Sequence, residues 1–157
     1  MGSSLPLIIA TIGYLTSSAV LAVVTIFVLL NNPKRIINRL FFLGASFVTV
    51  FGVFFAVAIN IDASSPYAFG VWMISLIDIG MVVFFVHLAF VMVGKEKEAK
   101  WIIRGAYAVG IAILVASLTA PHLFITGVEP KLFTKSYLNP GPLFTVMFLY
   151  VAGSLGI

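Results

Sequence analysis

From Leu5 to Leu30 the chain carries no charged side chain, and the run ends only at Asn31-Asn32-Pro33. This constrains the fold more than any other feature, because a helix needs about 20 apolar residues to cross the hydrocarbon of a bilayer. Pro33 then stops the run, since the ring cannot continue a helix and disfavours helical geometry in the residue before it. The run is too long for the core of a signal peptide and no basic residue precedes it, so it is expected to stay as a span. Pro6 stands where a myristoylation signal requires serine or threonine.

The rest of the chain repeats the theme. Hydrophobic residues make up 62% and charged residues 9%, against about 25% charged in soluble domains. The sequence therefore reads as an all-α, polytopic membrane bundle, and 157 residues leave no room for a second folded domain. Five spans are expected, at about 5–30, 39–60, 66–93, 101–124 and 140–157. Ser64-Ser65-Pro66 and Asn139-Pro140-Gly141-Pro142 each place a capping residue before a proline, the signature of a helix start, ahead of the third and fifth spans.

Charge sets the expected orientation. Lys34, Arg35 and Arg39 join the first two spans, and Lys95, Lys97, Lys100 and Arg104 join the third and fourth, while only Lys131 and Lys135 fall on the other side. Basic residues concentrate in cytoplasmic turns, so the N-terminus is expected outside and the fifth helix is expected to run inward. Trp72 and Trp101 stand near opposite span ends, where interfacial aromatics anchor helices. Helices in lipid associate through small residues that allow close approach. Ala108, Ala112, Ala116 and Ala120 form such a stripe on the fourth span, with Gly105 and Ser117 nearby. Gly44, Ala45, Gly52 and Ala56 do so on the second, and Ser18, Ala22 and Thr25 on the first.

Two ionisable groups interrupt the third span, Asp78 and His87. Nine residues apart at about 100° each, they point to nearly opposite sides of one helix and cannot form a dyad. Asp78 shares its face with Ser75, and a buried aspartate costs about 2.5 to 3.5 kcal/mol on insertion scales, so it should find partners or become protonated. It is a candidate for a polar pocket, a ligand contact or a proton-sensitive switch. The alternative is simple bonding to hydroxyls such as Thr16, Ser17, Ser18 or Thr49. For His87 a neutral imidazole donating to a nearby carbonyl or hydroxyl is a sufficient role. The segment PHLFITGVEPKLFTKSYLN, Pro121 to Asn139, is long for a connection and is expected to be an aromatic-rich interfacial loop over the outer mouth. Its His122 and Glu129, together with Trp72, complete the candidate ligand-binding or polar-core set. No phosphate loop, metal spacing, or nucleophile and base arrangement is present, and the chain has no cysteine. No catalytic residue, metal, cofactor or nucleic-acid partner is expected.

NRLFFLGASFVTVFGV (38–53), VFFVHLAFVMVGK (83–95), PHLFITGV (121–128) and NPGPLFTVMFLY (139–150) follow one another in an order that resembles the N-terminal seven-helix membrane region of bacterial sensor histidine kinases. The resemblance covers the first five of those helices. It implies that His87 is the histidine often found near the inner end of the third helix and that Gly141 opens the fifth. It also implies two further helices and a cytoplasmic output after Ile157. The expected function is thus a sensory input module in a bacterial inner or plasma membrane, coupling a small-molecule ligand or a membrane stimulus to that output. Its partners would be the lipid bilayer and either a homo-oligomer or the downstream segments. Two other readings stand beside it, a small transporter or channel subunit using Asp78 for a cation or proton, and a structural subunit of a membrane complex.

Overall fold

The computed structural model describes residues 4–75 and 79–155. Among them are six α-helices: α1 (Ser4–Asn31), α2 (Ile36–Ala58), α3 (Ala68–Ser75), α4 (Ile79–Met92), α5 (Lys100–Thr119) and α6 (Phe144–Leu155). Between α5 and α6 a short 3-10 turn (Pro121–Leu123) leads into an antiparallel hairpin, β1 (Ile125–Lys131) and β2 (Thr134–Pro140). Three helices, Leu5–Asn31, Ile36–Ala58 and Lys100–Thr119, are long and apolar enough to cross a membrane, and Gly80–Met92 and Phe144–Gly153 are shorter apolar helices. The chain is thus mostly helical, with three helices that could span a membrane, while the hairpin adds two short strands to the expected all-α class.

α2 and α4 form the centre. α1 packs along α2, and α2 packs against α3 and α4. α4 in turn contacts α5 and α6. The first turn is tied by side chains, as the sequence around it requires. The last carbonyls of a helix have no intrahelical donor, and Asn38 supplies one by donating from Nδ2 to Val28 O at 2.9 Å and Asn32 O at 3.0 Å. Arg39 Nε donates to Pro33 O at 2.7 Å and closes the turn from the other side.

Small residues decide how closely the helices approach. On α2, Gly44, Ala45, Gly52 and Ala56 are all buried. A Cβ on Gly52 would run into Ser18 of α1, and one on Gly44 would press on the Phe85 ring of α4. On α1, Ser18 and Thr25 are buried. These two stripes behave as the sequence suggests. The stripe on α5 holds only in part: Ser117 is buried and Ala116 packs on the core, but Ala108 and Ala112 are exposed and Gly105 faces open space. The buried residues of α5 are Ile103, Gly110 and Ser117, spaced by seven. Gly110 carries the close approach there, since a Cβ would meet Val83 of α4 and the Tyr150 hydroxyl of α6. Tyr150 Oη donates to Ala106 O at 2.9 Å and fastens α6 to α5.

The expected third span, 66–93, corresponds to α3 and α4 with residues 76–78 outside the described set. Ser65 accepts from Tyr67 N at 3.3 Å and its carbonyl accepts from Ala68 N at 3.0 Å, so the serine organises a turn just ahead of α3. The second start signal is corrected more strongly. Asn139 and Pro140 end β2 and α6 begins at Phe144. Asn139 accepts from Lys131 Nζ at 2.6 Å, a cross-strand role and not a helix cap.

Candidate functional site

At the end of the bundle where α1 begins, the hairpin lies over the helices. Its register pairs Val128 with Leu138 and Glu129 with Tyr137, and irregularities at Thr126 and at Pro130 interrupt the ladder. Proline cannot donate to a ladder and is tolerated at such a bulge. The strands turn at Leu132 and Phe133, where Leu132 has a φ of 51°. Bulky apolar residues seldom adopt this left-handed region. Leu132 is also 97% exposed, an unusual place for a leucine.

β2 is docked by hydrogen bonds to the end of α2. Lys135 N donates to Ile59 O at 3.0 Å, and Ser136 Oγ donates to Ala58 O at 2.5 Å. These are carbonyls that a helix end leaves without internal donors, so the strand edge and the helix end satisfy each other. Ser136 also accepts from Trp72 Nε1 at 3.1 Å. Trp72 is 1% exposed, packed edge-on between the rings of Phe55 and Tyr137. Its expected role as an interfacial anchor is corrected: it is the centre of the main core, with Leu7, Ala58, Ile59, Phe124, Ile125 and Leu138 around it. Trp101, 77% exposed with Arg104 over its ring at 5.3 Å, has the exposed position that Trp72 lacks.

The base of the hairpin is just as tightly held. Gly141 N donates to Phe124 O at 2.8 Å and Leu143 N donates to Leu123 O at 2.8 Å. A Cβ at Gly141 would collide with the Leu123 carbonyl, so only glycine fits this crossing of two backbones.

Between the hairpin tip and the outer faces of α1 and α2 lies a cavity of about 600 Å3. Ala10 and Tyr14 of α1 and Phe55 and Ile59 of α2 form one wall, and Lys131, Leu132, Phe133, Thr134 and Tyr137 form the roof. Small-molecule sites fall in the range of about 300 to 1,000 Å3, mostly apolar with a few polar groups at chosen points. This cavity has that character, with Lys131, Thr134 and the two tyrosines supplying its polar groups. Beside it, Asn60 Nδ2 donates to Thr11 Oγ1 at 2.6 Å and to Ala56 O at 2.8 Å, linking α1 to the same end of α2.

The candidate residues read from the sequence do not gather in one place. Trp72 lies behind the pocket wall, in contact with Phe55 and Tyr137. His122 is exposed on the 3-10 turn. Glu129 is exposed and pairs with Lys131 at 3.2 Å. The Lys131 hydrogen bond, then that of Asn139, holds its carboxyl below the usual glutamate value. Asp78 lies outside the described residues, and Ser75 is described only as the last residue of α3.

His87 sits at the opposite end. Its Nε2 lies 3.4 Å from Glu96 Oε1 and its Nδ1 lies 3.2 Å from Tyr107 Oη. A carboxylate only accepts, so in a neutral ring Nε2 donates and Nδ1 accepts from the tyrosine hydroxyl. The imidazole thus joins α4, the following turn and α5, with a carboxylate and a donating hydroxyl as partners in place of the carbonyl or accepting hydroxyl that its sequence context suggests.

The sequence places the 121–139 segment over the outer mouth, with Lys131 among its possible ligand contacts; what it does not show is that the segment is a hairpin and that Tyr14 and Phe55 of the wall converge with Tyr137 of the roof. No family model, curated protein or solved structure matches the chain.

Proposed function

We propose that the chain is a membrane-embedded sensory input module of the histidine-kinase type, crossing the bilayer five times from an outside N-terminus. In this reading the hairpin end faces outward and its pocket takes a small amphiphile, with an apolar body against Tyr14 and Phe55 and a polar head near Lys131 and Thr134. The cavity of about 600 Å3 beneath the hairpin is the observation that carries it. The resemblance in sequence supports the kinase-type output, and the basic turns at the far end support the orientation.

The hairpin also offers a route for the signal. A ligand under its tip bears on Tyr137 and Phe55, both in ring contact with Trp72. β2 is bonded to the end of α2, and α2 packs on α4. A ligand shifts a helical equilibrium by its difference in affinity for the two arrangements. Small shifts of packed helices are an established form of such transitions.

The absence of native cysteine makes a direct test simple. Spin labels at Leu30→Cys and Ile102→Cys, both exposed near the basic end, report the α1–α5 distance in nanodiscs. Decanoate and decanol are added as probes. The proposal expects the distance distribution to change with a saturable dependence on probe, and to stay unchanged in Ala10→Phe, which fills the pocket. Saturable binding with no change at the basic end would overturn sensing and leave a binding protein.

A further inference from the structure

A second cleft, of about 390 Å3, opens at the basic end between α4 and α5, lined by His87, Glu96, Lys97, Lys100, Ile103 and Arg104. We infer that it binds the phosphate of an anionic phospholipid headgroup. Three cationic side chains converge here against one carboxylate, and that carboxylate already faces His87 Nε2 at 3.4 Å. Among the described residues Lys97, Lys100 and Arg104 make no ion pair. Like-charged neighbours held together without counterions repel one another, so an oxyanion between them relieves that repulsion.

The apolar surroundings select a lipid over a free anion. Ile103 forms a buried floor, and Trp101 and Ile102 beside it are 77% and 60% exposed. An exposed tryptophan at a span end marks the depth where headgroups lie. Arg104 has its guanidinium over the Trp101 ring at 5.3 Å, so the cation and the interfacial aromatic lie side by side. Basic pockets between membrane helices are general receptors for such headgroups. The shared chemistry is a phosphate oxyanion, which inorganic phosphate also carries, and the experiment separates the two. The inference rests on the chain spanning a bilayer, but not on which way it faces.

The test uses the full chain in nanodiscs of phosphatidylcholine doped with phosphatidylglycerol, read by thermal unfolding and by native mass spectrometry of retained lipid. The expected result is a rise in melting temperature with phosphatidylglycerol and none with added inorganic phosphate. At about 1 kcal/mol per basic residue near the surface, neutralising Lys100→Gln or Arg104→Gln should each weaken retention of phosphatidylglycerol about fivefold. Both residues are exposed, so the variants should fold. Lys34→Gln, in the other basic turn, controls for general surface charge and should change retention little. Equal stabilisation by the two lipids, or equal losses in the Lys34 and Arg104 variants, would overturn the site. Stabilisation by inorganic phosphate alone would overturn the lipid assignment. A chain that fails to enter nanodiscs at all would refute the membrane-spanning reading instead.

Discussion

Replacing Ser136 with alanine should be among the most damaging single-atom changes in the molecule. The serine is fully buried and its hydroxyl makes two bonds, donating to Ala58 O at 2.5 Å and accepting from Trp72 Nε1 at 3.1 Å. In Ser136→Ala the shape of the core barely changes, so the loss is almost purely polar. Leaving the Ala58 carbonyl buried without this donor costs about 1 to 3 kcal/mol, and the bond from Trp72 adds about 0.5 to 1.5 kcal/mol. The sum is about 1.5 to 4.5 kcal/mol. At about 2 to 4 °C per kcal/mol for a chain of this size, the melting temperature should fall on the order of 5 to 15 °C. Thermal unfolding in one detergent, followed by circular dichroism, measures it. Thr126→Val is the control, since its exposed hydroxyl accompanies the same hairpin with a 3.3 Å bond to Asn139 O. That change should stay within about 0.5 kcal/mol. Equal effects of the two substitutions would show that the hairpin is not anchored through Ser136.

Gly141→Ala should cost about 1 to 3 kcal/mol, because its methyl meets the Leu123 backbone, which has no flexible end to move aside; a melting temperature equal to wild type would contradict the crossing described. Leu132→Asn should be neutral or stabilising by about 1 kcal/mol, since asparagine tolerates the left-handed backbone that leucine resists and Leu132 has almost no contacts to lose. A loss of stability in the same thermal assay would mean that the leucine side chain is itself anchored. Glu129, with its folded value held below the ordinary 4.5, contributes stability that is present above that value and is lost as pH falls through the depressed one. Glu129→Gln should therefore lower the melting temperature slightly at neutral pH and flatten the acid limb of the profile below about pH 4.5, so that the two proteins converge in acid.

Much of the helical architecture is written in the chain because its signal is redundant. The run from Leu5 to Leu30 has too few polar groups to be anything but a buried or lipid-facing helix, and α1 spans Ser4–Asn31. The α2 stripe was legible for a related reason, as its small residues sit among bulky ones and only one face can approach a neighbour. On α5 small residues lie on more than one face, and the sequence alone does not choose between Ala108 and Gly110. The choice is made by Val83 and Tyr150, which arrive from other helices.

The hairpin was hidden for a local reason. A two-residue turn is normally announced by glycine or asparagine, and here it is made by Leu132 and Phe133. Pro130 further weakens the strand pattern. The alternation in β2, with Ser136 and Leu138 buried and Lys135 and Tyr137 exposed, is only a few residues long. Its partner is also distant, since the carbonyls that fix it are Ala58 and Ile59, more than 70 residues earlier. The candidate site inherits this opacity. Trp72 was singled out for its type and position, but its burial beneath β2 follows from a contact no local pattern records.

The claim that matters most is that a small amphiphile occupies the cavity beneath the hairpin. Trp72 can report it, because Phe55 and Tyr137 contact its ring on one side and line the pocket on the other. The chain has two tryptophans, so Trp101→Phe leaves Trp72 as the single emitter. A bromine-labelled medium-chain carboxylate is then titrated into the protein in nanodiscs. The account predicts quenching that saturates, and that loses its saturable part when Ala10→Phe fills the cavity. Quenching that rises in proportion to the probe in the bilayer, and equally in both proteins, would contradict it.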